Sequence, residues 1–270
     1  PVMTYNPNGA LLRLCLSLLM LLGLIAYGLS IIHIDVSMDL LARRLPPSAE
    51  YWFGTDSLGR DLWLRCFQGM TTSLQIGLTA AFSSGFLAML AASLCALNKT
   101  LDYLIRGLID SMLALPHLLL LVLICFTLGG GKQGVILAVA LTHWPRLALI
   151  LRGEIMRIRE TDFVMLSHRL GNSSFYRWRH HLLPLLMPQW IVGTLLMFPH
   201  AVLHSAALSF LGFGLAPHDP SLGLLLADAL RYLSSGAWWL AFFPGLILVG
   251  LVLVFDQFAR ALQQLWIRIT

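Results

Sequence analysis

Long apolar stretches alternate with short polar ones along the whole chain, and the gaps between charged side chains measure them. A bilayer crossing needs about 20 mostly apolar residues. That ruler predicts spans over 14–34, 66–98 with length to spare, 111–131, 133–151, 189–211 and 232–255. Residues 99–110 read as an amphipathic approach to the third span, and Arg146 in the fourth sits near one end, where its stem can snorkel. The first span is not expected to be a cleaved signal peptide, since it is about 20 residues long and no clear small-x-small cleavage site precedes the polar segment that follows. Two hydrophilic segments break the pattern, 33–65 and 152–188. The expectation is an all-α polytopic membrane protein, one transmembrane domain over 1–270, with six helices.

Composition agrees. The 270 residues are 58% hydrophobic and 11% charged, against about 25% charged in soluble domains. A net charge of +5 suggests nucleic acid only until the basic residues are located. With both termini inside, the inner segments carry eleven of them (Arg13, Lys99, Arg106, Arg152, Arg157, Arg159, Arg169, Arg177, Arg179, Arg260, Arg268) and the outer segments six. Inner basic loops are the usual bias of membrane proteins, so the termini and the 152–188 loop are expected in the cytoplasm, the 33–65 loop outside, and no nucleic acid as partner. Cys15, Cys66, Cys95 and Cys125 form no CxxC spacing, which indicates neither a disulfide framework nor a zinc knuckle.

No phosphate-loop, HExxH or G-x-S-x-G motif is present, so the chain is not expected to be an enzyme. The glycine run 129–131 reads as a turn between spans three and four. In the inner loop, Thr161 to Gly171 reads as a short helix with Asp162 favouring its start and Gly171 its end. A basic, aromatic segment, Phe175 to His181, then leads to Leu183-Pro184. Together they make a knuckle that could enter a partner's groove, or a basic loop held by lipid headgroups. In the outer loop Gly54 and Gly59 permit tight turns, and Asp56, Arg60 and Asp61 are expected to form an ion-pair cluster. His143, with His200 and His204 at i, i+4 on one helical face, are candidates to line a translocation path. His117 follows Pro116 in span three. Interhelical hydrogen bonding is the plain alternative for these imidazoles, and no metal site is assigned.

These residues resemble a known family. The inner loop is similar to the E-A-A, three residues, G, nine residues, I-x-L-P signature of bacterial binding-protein-dependent ABC importer permeases. Met165-Leu166-Ser167 stand at the E-A-A positions, just after Phe163; Gly171 stands at the glycine, His181 at the isoleucine, and Leu183-Pro184 at the end. Gly54-Thr55-Asp56-Ser57-Leu58-Gly59-Arg60-Asp61 resembles the external G-T-D-x-L-G-R-D motif of the dipeptide, oligopeptide and nickel subfamily, in its second or "C" subunit. Arg152-Gly153-Glu154 and the 207–214 segment also fit that subunit. The resemblance implies a type I importer in the bacterial inner membrane. Its parts would be a homologous second permease, two cytoplasmic ATPases that bind ATP and magnesium and dock the coupling loop, and an extracytoplasmic binding protein; this chain itself would hold no cofactor. Thr142-His143-Trp144, His200 and His204 look like the nickel permease, which implies nickel or a nickel-type chelate as cargo. Dipeptides or oligopeptides are the alternative cargo. An ion-gradient-driven secondary transporter is the rival class, and an ATPase-docking loop does not suit it.

Overall fold

The computed structural model describes residues 7–215 and 219–266; Arg268, counted above among the inner basic residues, lies outside them. The regular elements among the described residues are helices; they include no strand, only an isolated antiparallel bridge between Thr55 and Asp61. In chain order the helices are α1 (Pro7–Ile31), α2 (Leu62–Cys95), α3 (Lys99–Ala114), α4 (His117–Thr127), α5 (Gly131–Arg159), α6 (Asp162–Arg169), α7 (Ser174–Arg177), α8 (Leu183–Phe210), α9 (Leu222–Leu233) and α10 (Trp239–Trp266). A π-turn, Trp178–Leu182, joins α7 to α8 without interruption, so Ser174–Phe210 is one continuous rod. Five of these rods are long and apolar enough to cross a membrane, and the pair α3–α4 makes a sixth crossing if counted together.

That pair corrects the third span. The expected continuous stretch 111–131 is broken at Leu115-Pro116, and the two halves diverge by 102°. Pro116 has no N–H and disfavours helical backbone in the residue before it; Leu115 is accordingly extended, at φ −84°, ψ 144°. The 11 residues of α4 reach only about 16 Å, half a bilayer core. Other boundaries move as well. Residues 152–159 of the expected inner loop continue α5, while 183–188 already belong to α8. Tyr232 lies in α9, and the last span starts at Trp239.

α2 organises the bundle through small side chains. Ala80, Ser84, Ala88 and Ala92 recur every four residues and are buried. Ala80 packs with Val135, Ala138 and Val139 of α5, and Ala88 and Ala92 pack with Trp144, Leu147, Ala148 and Leu151 farther along it. One residue round the helix, Gly77, Ala81 and Gly85 admit α8: a side chain at Gly77 would strike Val202 and Phe198, and one at Gly85 would strike Thr194. The Trp190 indole donates to the Gly85 carbonyl at 2.8 Å across the same seam. Lipid tails give apolar helices no reason to associate, so close backbone approach supplies the attraction. Placement follows: the most apolar 18-residue stretch of α5 is 61% buried, that of α1 only 22%, so α5 is central and α1 peripheral.

α9 is held against α8 by the same device, since a side chain at Gly223 would land on the Ala206 backbone, which cannot turn aside. Gly223→Ala should therefore cost about 1–3 kcal/mol as overpacking and lower the thermal midpoint of the detergent-purified protein by several degrees. Gly245→Ala, whose methyl would meet only Leu226 Cδ2 at 3.8 Å, should leave it unchanged. Equal midpoints for the two variants would contradict the close contact.

Candidate functional site: two polar ends and a histidine cluster

Residues 33–61 form an ordered loop at the N-terminal end of α2. Asp56 is its hub. Its Oδ1 accepts from the backbone N–H groups of Leu58 at 2.8 Å and Arg60 at 3.0 Å, and its Oδ2 accepts from Arg60 Nε at 2.7 Å and Arg65 Nη1 at 2.8 Å. Thr55, fully buried, donates its hydroxyl to the Ala42 carbonyl at 2.5 Å and accepts from the Leu45 N–H at 2.8 Å. Gly59 is at φ +75°, and any Cβ there would collide with the Asp39 carbonyl, so only glycine closes this turn. Gly54 and Gly59 are buried and Leu58 half-buried.

The expected Asp56–Arg60–Asp61 cluster forms differently. Arg65, not Asp61, completes it. Asp61 is the N-cap of α2 and accepts from the Trp63 N–H at 2.9 Å; burial pushes its carboxyl above the usual range. An acid at a helix start serves the free N–H groups better than a second acid serves a site Asp56 already fills. Arg65 was legible only as the residue four positions after Asp61, a spacing that did not separate it from any other charge at the membrane surface.

The opposite end of α2 carries the knuckle. From Leu62 to Ser93 is about 47 Å at 1.5 Å per residue, and there the Trp178 indole donates to Ser93 Oγ at 3.2 Å. α6 stops where expected: the Leu170 N–H bonds the Leu166 carbonyl, the Asn172 N–H bonds the Ser167 carbonyl, and Gly171 between them is at φ +82°. Ser173 then caps α7 through the Tyr176 N–H at 3.1 Å. Asp162 lies in the first turn of α6 as expected. Val164 and Ser167 face inward, Ser167 Oγ bonding His181 Nε2 and Asn172 Nδ2, each at 3.0 Å. Phe163, Met165, Leu166, Leu170 and Phe175 face outward, Leu170 at 72% exposure and Phe175 at 69%. Leu183 and Pro184 open α8 directly after the π-turn. Pro184 cannot donate to the carbonyl four residues back, and the wider turn, closed by the Leu183 N–H to the Trp178 carbonyl, accommodates its ring.

Midway between the ends, three imidazoles meet from three helices. His117 opens α4, His143 lies in α5 and His204 in α8, with ring centroids 4.8 Å (117–143), 4.7 Å (117–204) and 5.0 Å (143–204) apart. Of the three expected path candidates, His143 and His204 share this cluster and the third ring in it is that of His117. His200 shares a helical face with His204, but its ring is not in the cluster; only its carbonyl takes part, accepting from His204 Nδ1 at 2.7 Å. His117 enters because the break at Pro116 turns α4 toward α5 and α8.

Residues 51–268 match the family of binding-protein-dependent transport system inner membrane components. The chain belongs to that family. It is thus a permease subunit of an ABC importer, a multi-pass protein of the bacterial inner membrane. It is 33% identical over 232 residues to the dipeptide transport system permease protein DppC of Bacillus subtilis strain 168, covering 86% of this chain and 72% of that one. It is 31% identical over 248 residues to the probable D,D-dipeptide transport system permease protein DdpC of Escherichia coli K12, covering 92% and 83%. A solved structure of the MetNI methionine ABC transporter shares the fold at a TM-score of 0.60 and 19% identity, over 74% of this chain and 97% of that one. The curated relatives are permease subunits, not ATPases, which agrees with the missing phosphate loop.

Because the Arg65 guanidinium is buried with Asp56 as its partner, Asp56→Asn should leave an uncompensated charge and cost about 3–5 kcal/mol. Limited proteolysis should then cut within 33–61 of the permease. Asp61→Asn, which keeps a competent N-cap residue, should resist cleavage like the parent protein. Equal resistance of both variants would show that the loop is ordered by something other than Asp56.

Proposed function

We propose that this permease forms half of a translocation path for short peptides, paired with a homologous second permease. In this reading the termini and the α6–α7 knuckle lie in the cytoplasm and the 33–61 loop faces an extracytoplasmic binding protein. Two partner ATPases bind ATP and magnesium; this chain carries no cofactor for the transport cycle. The observation that carries the coupling part is the knuckle itself. A two-helix projection with Phe163, Met165, Leu166, Leu170 and Phe175 exposed, continuous with a 37-residue helix, suits docking into a groove and transmitting its displacement as a rigid rod.

The cargo assignment rests on the peptide permeases among the relatives. None of those relatives supports the nickel reading, and the external motif is common to both subfamilies. The α3–α4 break supports a protein neighbour or aqueous path on that side. Leu115 and Pro116 are exposed and no side chain caps α4, and open N–H groups are not tolerated against lipid tails.

Two experiments test this. Nothing lies within 4 Å of a Cβ at Gly171, so Gly171→Val acts only through its positive φ, at a cost on the order of 1 kcal/mol or more. It should abolish uptake and substrate-stimulated ATP hydrolysis in complexes that still assemble, while Gly171→Asn, which tolerates that backbone, should retain much of both. Normal coupling in the valine variant would remove the knuckle from the mechanism. In vesicles loaded with ATP and supplied with the binding protein, radiolabelled dipeptide should accumulate and radioactive nickel should not. Accumulation of nickel alone would reverse the cargo assignment.

A further inference from the structure

We infer that His117, His143 and His204 form a binding site for a late first-row divalent cation, of the Cu²⁺, Ni²⁺ or Zn²⁺ class, at the junction of α4, α5 and α8. The inference goes beyond the cargo reading and does not depend on it, since a peptide permease and a metal-complex permease could equally carry such a site.

The hydrogen bonds of the cluster fix how two of its rings are presented. His143 Nδ1 lies 2.9 Å from the Val139 carbonyl, and His204 Nδ1 lies 2.7 Å from the His200 carbonyl. A carbonyl only accepts, so each ring carries its proton on Nδ1 and leaves Nε2 with a lone pair. The Thr142 hydroxyl does not alter this, because its proton is directed to the Ala138 carbonyl at 2.9 Å. Tying one ring nitrogen to a carbonyl, and so fixing the tautomer of the other, is the arrangement that orients metal-ligating histidines. His143 Nε2 faces His204 Nδ1 at 3.4 Å, a proton the His200 carbonyl already holds more closely. His117 could offer one N–H to the group and its other nitrogen would again be a lone pair. With both Nδ1 protons directed to carbonyls, the lone pairs of His143 and His204 lie on Nε2, the form in which neutral imidazole ligates a metal.

Geometry agrees. One ring nitrogen from each histidine lies within 4.8 Å of the others. A tetrahedral ion with bonds near 2.0–2.1 Å holds its nitrogens about 3.4 Å apart, so closure takes roughly an ångström of ring movement. Imidazole selects late first-row ions over magnesium or calcium, and affinity should be highest for Cu²⁺. Three protein ligands leave a position open. Because none is anionic, the bound ion keeps its full charge and should take an exchangeable anion, such as hydroxide or a carboxylate, at that position. Such a site exchanges its occupant and does not lock it.

The test uses the assembled transporter in nanodiscs, stripped with a chelator and titrated with Cu²⁺ or Zn²⁺ alone. The parent complex should bind one Cu²⁺ per copy of this chain with nitrogen superhyperfine structure in its electron paramagnetic resonance spectrum, and Zn²⁺ should raise its thermal midpoint. The triple variant His117→Gln, His143→Gln, His204→Gln should lose that ion and that shift. His200→Gln, whose ring is outside the cluster, should keep both. Should the triple variant fail to assemble, His117→Gln alone gives the same comparison, with an expected loss of at least tenfold in affinity. Equal Cu²⁺ stoichiometry and spectra in the parent and in whichever of these variants assembles would overturn the assignment. Loss of dipeptide uptake bears on the cargo reading and not on this one.

Discussion

The bundle depends on how closely helices can approach one another where burial in water is not the driving force. α2 solves this with two rows of small residues, one accepting α5 and the other α8. Packing enthalpy at such seams falls steeply with separation, so the positions of α5 and α8 are set by the absence of side-chain bulk on a third helix. The consequence is long-range. His143 and His204 come together because α2 fixes the two rods that carry them, and the same rod spaces the Asp56 loop from the knuckle.

The two polar ends are built on different principles. At the 33–61 end, charge organises backbone: one carboxylate gathers two guanidinium groups and two N–H groups, and a threonine ties the loop to Ala42 and Leu45. The knuckle relies on backbone geometry instead, with a positive-φ glycine closing α6 and a π-turn easing the entry of Pro184 into α8. Its apolar side chains remain uncovered within the single chain. The 33–61 end also leaves apolar side chains exposed, Leu41 at 95% and Trp52 at 65%, so the two ends differ in how their backbone is ordered and not in how far they are covered.

Much of this was legible along the sequence. Charge-free stretches located the rods, because a bilayer core enforces length whatever packs beside it. Gly171 marked the end of α6, since the backbone conformation there excludes most other residues. The Gly54–Asp61 segment announced an ordered turn. Pro116 was also visible, but a proline in an apolar run predicts either a kink or a full break, and length alone favoured a continuous span.

Sequence by itself determined the properties that depend on residues within a few turns of one another: helical periods, caps, the knuckle and the membrane-spanning class. Tertiary structure alone decided which distant residues meet. The 102° bend turned His117 toward α5 and α8, and His200 was left out because a shared helical face does not make two rings converge on the same neighbours. Arg65 became the partner of Asp56 only when the loop folded back over the start of α2. These outcomes follow from competition in three dimensions, where one acid takes the helix cap and leaves another to take the guanidinium, and spacing along the chain carries no record of that competition.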